Sequence, residues 1–180
     1  MGNWEFVVIF LLVLIGAGVT NILHGFGTMI RERQRVRSYW VHYVWLVVLL
    51  FTYLSIWFSF FNGQDTILGF WEFVGSVLSF SILYLLTVLS FPDFKSSEPL
   101  DMMDHFLRTH RPYFSLWALV WLTPTVTVLL QVGNEPWGAL DLMPLFYFAL
   151  STFGVLVGSA RNHAALAVAI IAGIMSQLLF

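Results

Sequence analysis

Five histidines, His24, His42, His105, His110 and His163, are the side chains of this chain that titrate near neutral pH. There is no cysteine beside them, which removes thiolate metal sites, a cysteine nucleophile and disulfides. Imidazoles alone can still ligate haem iron or a transition metal, or relay protons. Asn21 and His24 lie three apart and so share one face of a helix. His42 opens the next apolar segment inside the aromatic run Tyr39-Trp40-Val41-His42-Tyr43-Val44-Trp45. Together with His163, at the start of a later segment, they form the best candidate cluster for binding an ion or ligand. Neither His-Glu-x-x-His nor Cys-x-x-Cys-His occurs, so no motif names a metal. The plainer role of His24, directly before Gly25, is to satisfy polar groups at a helix end. No cofactor is predicted, with haem or a transition metal as the minority reading of the histidines.

Three acids stand at the starts of apolar segments: Glu5, Glu72 and Asp141. Ionisable groups inside a bilayer are costly and often functional. Glu72 and Asp141 are therefore candidate ligand or ion contacts, although acids also favour the first turn of a helix for its dipole. Thr123, beside Pro124, offers a hydroxyl next to a carbonyl that proline leaves without its helical donor. That is a candidate substrate contact, and equally a packed kink. No nucleophile, base and orienting acid fall together, which argues against an enzyme.

The elements that must carry these residues are apolar. Of 180 residues, 59% are hydrophobic and 10% charged, against about 25% charged in an ordinary soluble domain. Mean hydropathy is +0.83. The 8 Trp and 18 Phe suit helices anchored at two interfaces. The first segment lacks a basic start and a small-residue cleavage site, so it reads as a retained helix. The expected fold is an all-α polytopic membrane bundle of six transmembrane helices, near 4–29, 38–61, 66–91, 112–132, 141–159 and 162–179. A link over 93–111 is expected to carry a short amphipathic helix. Recurring openings, such as Trp4-Glu5-Phe6 with Trp71-Glu72-Phe73, suggest three parallel two-helix hairpins. Gly154, Gly158, Ala165, Ala169 and Gly173 predict close packing of the last two segments.

Charge sets direction. Arg31, Arg33, Arg35 and Arg37 form the one strongly basic run. Lys95, Arg108, Arg111 and Arg161 fall in links on the same side under the six-span scheme. Basic short loops stay cytoplasmic, which predicts a bacterial inner-membrane protein with both termini outside. The four clustered arginines are also candidate contacts for anionic lipid or for a partner. No groove for nucleic acid is expected. The sequence points first to a channel or transporter subunit for a small solute or ion, acting as a homo-oligomer or within a larger complex. An accessory subunit, and a redox or haem protein using the inner histidines, are the alternatives.

Overall fold

The computed structural model describes residues 3–62, 70–94, 99–130 and 142–179. Six helices account for most of them: α1 (Asn3–Arg31), α2 (Trp40–Asn62), α3 (Phe70–Leu89), α4 (Met102–Leu130), α5 (Met143–Leu156) and α6 (Ala160–Leu179). Two short strands, β1 (Val36–Arg37) and β2 (Leu100–Asp101), pair with each other.

The fold is all-α, as the composition requires, but the expectation of six transmembrane helices is corrected. Among the described residues three helices are long and apolar enough to cross a membrane: Val8–Arg31, Trp40–Phe58 and Met102–Leu130. The described apolar parts of the others are Phe73–Leu89, Met143–Leu156 and Ala160–Met175. At a rise of 1.5 Å per residue these reach only about 21–26 Å, short of a hydrocarbon core of about 30 Å. With six equivalent spans gone, the scheme of three parallel hairpins falls too. One cause is local. The helix that was expected to begin at Pro112 begins ten residues earlier, and Pro112 lies within it. Asp101 caps it, its Oδ1 accepting from the backbone N–H of Met103 (2.8 Å) and Asp104 (3.2 Å). The amphipathic stretch is thus the first part of α4, with Arg108 and Asp104 paired at 2.9 Å on its exposed face. At the other end of the chain, α5 stops where Val157 turns extended. Ser159 then caps α6, its hydroxyl accepting from the Asn162 N–H at 3.3 Å.

The chain divides into two compact units, Met1–Arg37 with Trp45–Leu100, and Ser38–Val44 with Asp101–Phe180. In the first, α1 buries Leu11, Ile15, Gly18, Ile22, Gly25 and Met29. Their spacing alternates four and three, the 3.5-residue period of a coiled-coil seam. Two glycines on that seam are there for room. A Cβ on Gly18 would collide with the Tyr53 ring, and one on Gly25 with the ring of Phe91. Close backbone approach through small residues is how membrane helices gain contact.

In the second unit, α4 and α5 run antiparallel. Phe114 lies against Gly154, Trp121 stacks on Tyr147 at 4.7 Å, and Thr125 donates to the Pro144 carbonyl at 3.1 Å. Partner numbers fall on α5 as they rise on α4. The small residues of the last two segments are accordingly divided between neighbours. Gly154 receives Phe114 of α4, while Gly173 faces Phe146 and Tyr147 of α5.

Candidate functional site

The second unit brings His42 and His163 to one phenylalanine, with His110 against His163. Phe106, on the inward face of α4, is buried. His163 meets it edge-on, with ring centroids 5.3 Å apart. His42 approaches it edge-on at 6.4 Å, and Tyr39 at 5.8 Å. Tyr113 and Phe114, about two turns further along α4, complete the apolar wall. His110 touches His163 at 5.2 Å. The elements explain the convergence. His105, Phe106, His110, Tyr113 and Phe114 share α4, His163 sits in the first turn of α6, and His42 in the first turn of α2.

His163 is the most constrained of them. It is fully buried, stacked on Phe114 at 5.3 Å with an interplanar angle of 8°. Among the described residues neither ring nitrogen has a hydrogen-bond partner of good geometry, although the Val157 backbone comes near the ring. Buried polar groups are nearly always hydrogen-bonded, because losing water without a replacement costs about 1–3 kcal/mol. His110 has a defined tautomer. Its Nδ1 lies 2.6 Å from the Leu107 carbonyl oxygen. A carbonyl can only accept, so Nδ1 carries a proton, and in the neutral ring Nε2 keeps the lone pair. A Cβ on Gly158 would lie at an ordinary contact distance, 3.8 Å, from that Nε2. Tyr39 borders the nest and donates to the Ala160 carbonyl at 3.4 Å. Burial raises its phenol above the usual pKa of 10.0.

Chemically, this arrangement can pass or hold a proton between imidazoles screened by aromatic rings. Among the described residues, no three His, Asp or Glu side chains are placed to hold a metal ion. Haem ligands oppose each other across a porphyrin plane. His110 and His163 instead touch, and Phe114 covers a face of His163.

The residues singled out in sequence are dispersed. Asn21 donates to the Thr87 hydroxyl at 2.9 Å, tying α1 to α3. Thr87 in turn donates to the Tyr84 carbonyl at 2.7 Å. His24 is exposed, and its carbonyl accepts from Thr28. Both belong to the first unit, and His42 to the second. Thr123 is exposed on α4, its carbonyl accepting from Thr127 at 3.1 Å. The side chain of Glu72 and the whole of Asp141 lie outside the described residues. Arg31, Arg33 and Arg37 are exposed, while Arg35 is half-buried and paired with Glu32 at 3.1 Å. Sequence reasoning missed His110 as a partner of His163. The available signal was Thr109-His110-Arg111-Pro112, a histidine in a turn whose ladder the proline interrupts.

The chain matches no known protein family, no characterised protein and no solved structure.

Proposed function

We propose that this helical, membrane-associated protein is a subunit of a channel or transporter for a small solute or ion. Its working polar site is the histidine nest of the second unit, and the ion it handles there includes the proton. One observation carries the reading: His163 is fully buried with no hydrogen bond to either ring nitrogen among the described residues, beside a second imidazole whose Nδ1 carries a proton. An unsatisfied imidazole weakens a fold. Ionisable groups kept in the apolar parts of membrane proteins mark ion paths and proton relays. The exposed apolar side chains of the long helices supply the lipid contact, and the protein works as a homo-oligomer. Its basic turn lies on the cytoplasmic face of a bacterial inner membrane.

The test is proton flux into proteoliposomes carrying a trapped pH-sensitive dye, driven by a potassium diffusion potential. Wild-type protein should acidify the lumen faster than protein-free vesicles. His163→Phe, which keeps a ring against Phe114, should return the rate to that of empty vesicles. Wild-type vesicles that behave like empty ones, or a His163→Phe variant as fast as wild type, defeat the proposal.

A further inference from the structure

The arginine turn that follows α1 is a built surface. Thr28 accepts from the Glu32 N–H at 2.9 Å, so the last helical turn runs into it. Glu32 then accepts from the N–H groups of Arg35 (2.8 Å) and Val36 (3.1 Å). Val36 is buried, and the Leu100 N–H donates to the Arg35 carbonyl at 2.9 Å. The backbone is thus pinned on both sides of the turn. Glu32, its one acid, is engaged by Arg35 at 3.1 Å. Arg31, Arg33 and Arg37 are exposed on this frame.

The span places that frame at a defined depth. Val8–Arg31 has 24 residues, about 36 Å of helix against about 30 Å of hydrocarbon. Arg31 therefore falls at headgroup level. The helix face leading up to it is Leu23, Gly27 and Ile30, at the i, i+4 and i+7 positions of one stripe. Leu23 and Ile30 are 58% and 67% exposed, and a Cβ on Gly27 would meet nothing within 4 Å. An apolar track with a shallow notch thus ends at guanidinium groups that can pair bidentately with phosphate.

We infer that Arg31, Arg33 and Arg37 bind the headgroup of an anionic phospholipid whose acyl chain lies along Leu23, Gly27 and Ile30. The inference concerns the first unit and does not rest on the transport reading. Native mass spectrometry of the detergent-purified protein tests it, with phosphatidylglycerol and phosphatidylcholine added in turn. Phosphatidylglycerol should be retained in preference, and added NaCl should erode that preference. Each Arg→Gln change should weaken retention about fivefold. The single variant Arg33→Gln, altered at an exposed turn position, checks this without threatening the fold, and R31Q/R33Q/R37Q should abolish the preference. Gly27→Phe should weaken retention of the lipid with all arginines intact. Equal retention of the two lipids overturns the inference, as does a preference untouched by Arg33→Gln and by the triple variant. Displacement of the lipid by an equal concentration of inorganic phosphate would assign the site to a free anion instead, and would also overturn it.

Discussion

At the residue scale, the two units treat their polar groups differently. Asn21 and Thr87 satisfy one another between α1 and α3 at 2.9 Å. Interhelical hydrogen bonds of this kind contribute about 0.6–2 kcal/mol in membrane proteins. Asn21→Ala should lower stability by about 1 kcal/mol in a denaturation titration in mild detergent, leaving the overall helix content unchanged by circular dichroism. Tyr39 gives a pH signature. Its phenol is favoured in the neutral form by burial, so its contribution to stability is complete below its ordinary pKa of 10.0. That contribution is lost as the pH rises through the higher folded value. Wild-type stability should therefore fall from about pH 10 upward more steeply than that of Tyr39→Phe. Identical alkaline limbs would mean that Tyr39 is not the group being titrated. His42 and His163 could be suspected from their positions at the starts of apolar segments. Their convergence on Phe106 could not, because it joins residues more than fifty positions away on either side and no local pattern encodes those contacts.

At the scale of elements, hydropathy alone reveals the apolar runs of α1 and α2, since little else is present in them. It fails at α4, for a physical reason. Pro112 suits the first turn of a helix as well as an interior break, and the residues before it alternate charge with apolar side chains. Only the Asp101 cap and the packing of Met102 and Phe106 settle that the helix starts earlier. The extension matters for the site, because it puts His105, Phe106 and His110 on the same rod as Phe114. The alignment of that rod with α5 depends on Gly154, against which Phe114 rests. Gly154→Leu would have to push the ring aside, and overpacking of this kind costs about 1–3 kcal/mol. Since Phe114 also stacks on His163, the variant should lose both thermal stability and dye-reported proton flux. Loss of neither would show that α4 and α5 can separate without disturbing the nest.

At the scale of the whole molecule, the absence of cysteine makes topology directly testable. Arg33→Cys introduces a single exposed thiol on the basic turn. A membrane-impermeant maleimide should label it in inverted inner-membrane vesicles and not in intact spheroplasts. The opposite pattern would reverse the orientation proposed for the protein. The correction from six spans to three long helices shows where composition stops being informative. Apolar content reports that lipid is the solvent for much of the surface, whereas the length of each helix depends on where caps and extended residues end it. Ser159 and Val157 do that between α5 and α6, close to the break expected from the sequence between 159 and 162.

The backbone hydrogen bond from Leu100 to Arg35 also has a bearing on biosynthesis. The turn at Arg35 is made first, and its partner emerges about 65 residues later. At a synthesis rate of about 5–20 residues per second, the edge of β1 waits roughly 3–13 seconds for its mate. Throughout that interval the turn presents an unpaired strand edge on an arginine-rich segment. Its charge then has a second use, because charged residues are the means by which edges are kept from pairing with the wrong chain.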